Sequence, residues 1–199
     1  MATYEPHDKF YRKARERGLP SRAAFKIEEI IARNRLVVAN SGARVVDLGC
    51  APGGWLAILV AAAGAGGRVV GVDLAPVKNP PAGAIAIVGD ILDDAVTARV
   101  QHELGGRADL VTSDLAPKLT GIAARDEARS RELIDSALSF AVTILKPGAA
   151  MVAKLFMGTD FKDIVDSFKR DFGKVEVTRT KASRPGSSEL YIIAREFRG

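Results

Sequence analysis

Residues 45–55 read VVDLGCAPGGW. An apolar run ends in Asp47, and a glycine-rich loop closes on Trp55. A glycine-rich loop after a strand commonly cradles a nucleotide. The dinucleotide fingerprint spaces its glycines as G-x-G-x-x-G, so that bare N–H groups meet a pyrophosphate. Here the spacing is G-x-x-x-G-G, with Gly49, Gly53 and Gly54. A phosphate-binding Walker loop would need G-K-[ST], which does not follow. Asp47 beside the loop would also repel a phosphate.

Outward from this stretch, apolar runs and helical stretches alternate. RVVDL (44–48), RVVGVD (68–73), AIAIV (84–88), ADLVTSD (108–114) and AAMVAKLF (149–156) read as buried strands. Helical patterns fall at 53–63, 91–104, 125–145 and 160–171. Such alternation predicts a mostly parallel sheet covered on both faces. KVEVTRT (174–180) and ELYIIAREF (189–197) follow, separated only by the polar KASRPGSS. No helix fits between them, so they should pair antiparallel at one edge. Upstream, SRAAFKIEEIIARNR (21–35) places Ala24, Ile27, Ile30 and Ile31 on one helical face, with Ser21 as the expected N-cap. The predicted fold is α/β: a sheet of seven strands, mostly parallel, with helices on both faces and an antiparallel edge hairpin, a layout that resembles the Rossmann-like methyltransferase fold.

Acids recur at the carboxyl ends of these strands, where open α/β sheets bind ligands. Asp47, Asp73, Asp90 and Asp114 all fall there. Asp73 stands where an acid can hold a ribose diol, and Asp90 with Ile91 where an adenine would lie. A ligand that suits Asp47 carries positive charge and no phosphate. S-adenosylmethionine has an ammonium, a sulfonium and an adenosine. Any one of these acids could be a helix N-cap; four at successive strand ends argue for a pocket. Trp55 fits either its wall or the core.

The bulk numbers set limits. The chain has 199 residues, enough for one domain with a real core, and 47% of them are hydrophobic. No uncharged apolar run reaches about 18 residues, the length of a membrane span. The N-terminus lacks the apolar centre of a signal peptide. Cys50 is the single cysteine, which leaves no disulfide framework and no multi-cysteine zinc site. A reducing cytoplasm is the expected compartment. The net charge of +5 is unevenly placed: +4 over residues 1–40, −3 over 41–145 and +4 over 146–199. Basic ends around an acidic middle fit a polyanion held by the termini. The candidate RNA contacts are Lys9, Arg12, Lys13, Arg15, Arg17 and Arg22, with Phe10 and Tyr11 interleaved, and Lys181 and Arg184 near the other end.

Together these segments resemble the FtsJ-like RNA 2′-O-ribose methyltransferases. VVDLGCAPGGW resembles their first motif and SRAAFKIEEI their N-terminal lysine helix. SDLAPKLTG (113–121) resembles their fourth motif, and AAMVAKLFMG (149–158) and SRPGSSELYIIA (183–194) the segments that complete the site. The resemblance spans nearly the whole chain in order. It implies a single domain over 1–199, with 1–40 as a basic RNA-binding extension and lysine helix. It implies a catalytic tetrad of Lys26, Asp114, Lys154 and Glu189, and cofactor contacts at Gly53, Trp55, Asp73, Asp90 and Asp114. The expected activity is S-adenosylmethionine-dependent methylation of a ribose, a uridine's, in large-subunit 23S ribosomal RNA. The expected protein is monomeric and binds neither metal nor membrane. Cys50 departs from the pattern, where a smaller residue such as alanine is usual, and carries no expected chemistry.

The chemistry needs such residues. A ribose hydroxyl is a poor nucleophile at neutral pH, so a base must assist it. Lys154 lies inside an apolar strand, where a lysine needs a reason. We expect it to take or hold the 2′-hydroxyl proton, oriented by Asp114, with Lys26 and Glu189 positioning the ribose. Amino-base methylation would need an aromatic after Asp114-Leu115-Ala116-Pro117, and cytosine-C5 chemistry a cysteine after the fourth strand; neither is present. Other readings remain: an NAD-dependent oxidoreductase, which the loop spacing disfavours; the same chemistry on a tRNA or an mRNA cap; and an RNA-binding ribosome-assembly factor with secondary catalysis.

Overall fold

A computed structural model describes residues 9–36, 42–118, 120–184 and 186–199. Two helices lead: α1 (Lys9–Glu16) and α2 (Ala24–Asn34). Then come β1 (Arg44–Leu48), α3 (Gly54–Ala63), β2 (Arg68–Asp73), β3 (Ala84–Val88), α4 (Asp94–Leu104) and β4 (Ala108–Ser113). The chain continues with α5 (Ala123–Ile144), β5 (Leu145–Phe156), α6 (Phe161–Asp171), β6 (Phe172–Thr178) and β7 (Glu189–Phe197). The strands form one seven-stranded sheet, ordered β3-β2-β1-β4-β5-β7-β6. Strands β1 to β5 pair in parallel, and β7 lies antiparallel between β5 and β6. The strand order reverses between β1 and β4, which opens a crevice at their carboxyl ends.

Alternation divides the core into two layers. Val46 and Leu48, Val70 and Val72, and Met151, Ala153 and Leu155 face α4, α5 and α6. Val45, Val69, Leu110, Val152, Tyr191 and Ile193 face α2 and α3. The same period of two places Asp47, Thr112, Lys154 and Glu189 on the α2 side. Apolar packing on that face is thus what aims the polar groups.

Some boundaries move for local reasons. Ser21 is not an N-cap. Its Oγ accepts from the Ala23 N–H at 3.2 Å, and the helix starts at Ala24 through turn bonds from Ala24, Phe25 and Lys26 back to Ser21, Arg22 and Ala23. The helix expected from 91 opens at Asp94, because Asp93 caps it by accepting from the Ala95 N–H at 2.8 Å. Strand β6 begins at Phe172 because Phe172 pairs with Phe197. At the opposite end of the sheet, three arginines close helix ends. Arg44 and Arg68 donate to the Leu104 and Glu103 carbonyls of α4, and Arg107 to the Leu145 carbonyl that ends α5. Part of the chain's positive charge therefore serves the fold.

Gly71 in β2 marks where packing is tightest. A Cβ there would meet the Cys50 Sγ at 2.7 Å and a Leu56 methyl at 2.9 Å. Cys50 is a buried filler against that glycine, and burial beside Asp47 and Asp73 pushes its thiol up to about 12. Gly71→Ala should cost about 1–3 kcal/mol of stability, as overpacking does. Urea unfolding with an unchanged midpoint would show that the two elements can move apart freely.

Candidate active site

The loop after β1 is shaped by glycines held close to neighbours. Gly49 has φ +76°, and a Cβ there would press on the Leu115 backbone nitrogen at 3.0 Å. Its N–H donates to the Val72 carbonyl at 2.8 Å, and the Asp114 N–H donates to the Leu48 carbonyl at 2.9 Å. These bonds bring the tips of β1, β2 and β4 together. Gly53 has φ +107°, and Gly54 starts α3 where a Cβ would collide with the Ser21 hydroxyl at 2.5 Å. The Trp55 indole is 3% exposed and donates to the Ala23 carbonyl at 3.0 Å. It packs beside Tyr191, ring centres 6.1 Å apart, and so ties α2 to the loop.

The four strand-end acids differ in their partners. Asp47 is fully buried; Oδ1 accepts from the Thr112 hydroxyl at 2.7 Å, and Oδ2 has no partner among the described residues. Burial, opposed by the Thr112 bond and aided by Asp114 and Asp73, holds its carboxyl well above the usual range. Asp73 accepts from the Ala51 and Ala75 N–H groups at 2.9 and 2.8 Å. Asp90 accepts from the Leu92 N–H at 3.0 Å, while Ile91 packs against the α4-side core.

Lys26, Asp114, Lys154 and Glu189 come together as two ion pairs. The Lys26 Nζ lies 2.7 Å from both Glu189 oxygens, with both side chains mostly buried. The Lys154 Nζ donates to the Asp114 carbonyl at 2.9 Å and stands 2.8 Å from its Oδ1. That second contact is charge to charge without hydrogen-bond alignment. Lys154 is the most enclosed of the four, 9% exposed at the side chain. Burial raises the Asp114 carboxyl despite Lys154 and Lys26. For Glu189, burial also pushes upward, but the Lys26 bond and charge with the Tyr191 and Ser183 hydroxyls prevail, and its carboxyl sits low. Glu189 is thus held ionised. Two of its anchors were not among the expected site residues: the Tyr191 O–H at 3.0 Å and the Ser183 O–H at 3.1 Å. Alternation could have pointed to Tyr191, two residues after Glu189 on one face, and likewise to Thr112, two before Asp114.

The expected RNA contacts divide. Arg12, Lys13 and Arg15 are exposed on α1, which Lys9 opens. Arg17 instead clamps Glu28 with two bonds of 2.9 and 2.8 Å and lies over Phe25. Arg22 donates to the Ala182 carbonyl and lies over Phe10. Phe10 packs on Phe25, 5.7 Å between centres, so it docks α1 on α2. Lys181 and Arg184 are exposed in the loop before Glu189.

The geometry tests the expected cofactor. A buried carboxyl oxygen of Asp47 without a partner among the described residues, two further acids close enough to raise that carboxyl, and glycine-lined tips fit a cationic ligand with a diol. They do not fit a pyrophosphate. Comparison with known proteins agrees in kind. The FtsJ-like methyltransferase family model matches residues 19–197. A relative from Anaeromyxobacter dehalogenans, named ribosomal RNA large subunit methyltransferase E, is 48% identical over 98% of this chain and 73% of its own length. One from Methanoculleus marisnigri with the same name is 46% identical over 100% and 96%. The fold matches a ribosomal RNA methyltransferase structure from Plasmodium falciparum at TM-score 0.77 and 23% identity, covering 90% of this chain and 98% of that one. It also matches the fibrillarin/Nop5p complex at 0.63 and 18%, covering 85% and 79%.

Asp47 yields a pH prediction. Its folded carboxyl is raised, so its contribution is most favourable below the unfolded value near 4 and is lost as pH rises through the folded value. Asp47→Asn should therefore gain thermal stability relative to wild type as pH rises, without added ligand, while binding S-adenosylmethionine more weakly. Melting curves from about pH 4 to about pH 8 whose difference stays flat would refute the raised carboxyl.

Proposed function

The chain belongs to the FtsJ-like methyltransferase family, and on that premise we propose that it methylates the 2′-hydroxyl of a ribose, a uridine's, in large-subunit 23S ribosomal RNA. The observation that carries this reading is the pair of lysine–carboxylate contacts, Lys154–Asp114 and Lys26–Glu189, at the carboxyl ends of the central strands. The names of the relatives supply the RNA; the tetrad supplies the acceptor. S-adenosylmethionine, when bound, provides an electrophilic methyl on a sulfonium. Asp47, Gly49, Gly53, Gly54 and Trp55 would form the cradle for its amino-acid end. Asp73 would hold the ribose diol, and Asp90 and Ile91 would border the adenine. Asp114 would sit between cofactor and acceptor.

On this reading the residues of the chain do four things. Lys154, acting as the neutral amine once its own ammonium proton has passed to solvent, takes the proton of the attacking 2′-hydroxyl, or holds it in a hydrogen bond, as the O–C bond forms and the methyl–sulfonium bond breaks. Asp114 fixes Lys154 from its carbonyl and its carboxylate. Lys26 reaches the ribose while Glu189 keeps it in place. The Tyr191 and Ser183 hydroxyls hold Glu189 in turn. Residues 1–40 form the RNA-binding extension, of which 1–8 and 37–40 lie outside the described residues. Arg12, Lys13, Arg15, Lys181 and Arg184 grip phosphates, with Lys9 beside them; Arg17 and Arg22 support this surface by holding α1 and the Ala182 loop. The protein works as a cytoplasmic monomer, and the reaction calls for no metal.

Two measurements test this. Lys154→Ala should lower methyl transfer about 10²-fold or more, the usual scale for a general base, and leave cofactor affinity within about twofold. Mapping 2′-O-methyl groups across ribosomal and transfer RNA with both proteins reads the acceptor directly. Wild-type product on another atom, or full turnover by the variant, would overturn the assignment. Replacing Arg12, Lys13 and Arg15 together with alanine should flatten the salt dependence of RNA binding by roughly two to three in log–log slope. An unchanged slope would remove α1 from the RNA interface.

A further inference from the structure

Beside the tetrad lies a cavity that the reading above does not use. It encloses about 280 Å³ between the tip of β4, the first turns of α5, the end of β5 and the start of α6. Ser113 and Leu115, on either side of Asp114, line it, and so does Lys154. Of the four tetrad residues it is Lys154 that lines it. Phe156 forms part of its wall, with its ring centre 5.9 Å from the Lys154 Nζ. Met157, 53% exposed, stands at its border.

We infer that this cavity receives the base of the nucleotide being methylated, turned out of its stack, with Phe156 as the stacking surface. This inference rests on the 2′-O-ribose reading. Three observations carry it. The first is place. A base hangs one glycosidic bond from the ribose whose 2′-hydroxyl lies at Lys154, so it must occupy a neighbouring volume, and this cavity shares Lys154. The second is charge. Asp126, Glu127 and Asp160 line the cavity, Asp126 bonded by Thr120 and Gly121 and Glu127 by the Thr159 hydroxyl, and its cations Lys154 and Arg131 pair with Asp114 and Asp135, so its net charge is negative. A phosphate is repelled from such a site, so the RNA backbone runs elsewhere. The N–H edge of a neutral base is suited to a carboxylate. The third is shape and surface. The volume is just below the range that encloses drug-sized ligands, which suits one base and not two nucleotides. The walls are mainly apolar, with Leu115, Pro117 and Leu155 beside the phenylalanine. An unstacked base on an aromatic side chain is a recurrent mode of single-stranded RNA recognition.

The test uses large-subunit RNA ligated to carry an abasic ribose at the mapped nucleotide, with the 2′-hydroxyl kept. Phe156→Ala should lower kcat/KM on intact RNA about tenfold to a hundredfold, the scale of losing one base–aromatic stack. On abasic RNA, the wild type and the variant should differ by less than about twofold. Ala123→Trp is the second variant: Ala123 is exposed at the cavity wall, so the added ring narrows the cavity without disturbing the core. It should impair intact RNA and spare abasic RNA. The same comparison of binding affinities covers a substrate that turns over too slowly to measure. If both variants penalise the two RNAs equally, the cavity does not hold the base. If wild type transfers no methyl to a ribose hydroxyl on any RNA, the underlying 2′-O reading fails instead. S-adenosylmethionine affinity, followed alongside, should stay within twofold; a matching loss there would assign the cavity to the cofactor.

Discussion

Strand β7 enters the sheet between β5 and β6, and its antiparallel register against β5 places Lys154 opposite Tyr191 and Phe156 opposite Glu189. A shift of one residue would turn every side chain of β7 to the other face. Glu189 would then leave Lys26, and Tyr191 would leave the layer it shares with Trp55. The register is secured by apolar alternation: Leu190, Ile192 and Ala194 pack towards α5 and α6, while Tyr191 and Ile193 pack towards α2 and α3. Both layers are buried, so a slip would drive Glu189 and the Tyr191 hydroxyl into the apolar layer under α5 and α6. The catalytic geometry proposed for this chain is in that sense a consequence of hydrophobic packing.

The electrostatics work against stability. Asp47 and Asp114 are pushed up by burial, and Asp47 is pushed further by the nearby Asp114 and Asp73. Such groups cost folding free energy unless a cation pairs with them. Lys154 answers Asp114, and Lys26 answers Glu189. Asp47 has only a neutral hydroxyl. Under the function proposed above, a positively charged ligand would offset that cost.

Several residues contribute differently from their expected roles, and each has a local cause. Ser21 looked like a cap but bonds one turn early, because its hydroxyl lies against Gly54. Trp55 fitted either a pocket wall or the core; its indole proton finds the Ala23 carbonyl, so it joins helix to loop. Phe10, Arg17 and Arg22, expected at the RNA by composition, also fasten α1 and the Ala182 loop to α2. Composition marks a basic segment but cannot distinguish a cation that faces solvent from one that bonds a neighbouring carbonyl. Cys50 is explained by Gly71: the two share one small space.

By itself the sequence determined the order of strands and helices, the acids at four strand ends and a loop unsuited to pyrophosphate. These are local properties: a period of two or 3.6, a glycine spacing, an acid next to an apolar run. Through resemblance it also named the four residues of the tetrad. It did not contain their pairing. That Lys26 meets Glu189 across 163 positions, and Lys154 meets Asp114 across 40, depends on strand order and register. Nor did it contain the cavity beside Lys154, whose walls come from four separate elements. Contacts between distant segments arise only when the sheet closes its two apolar layers, and no local pattern encodes which segment will arrive.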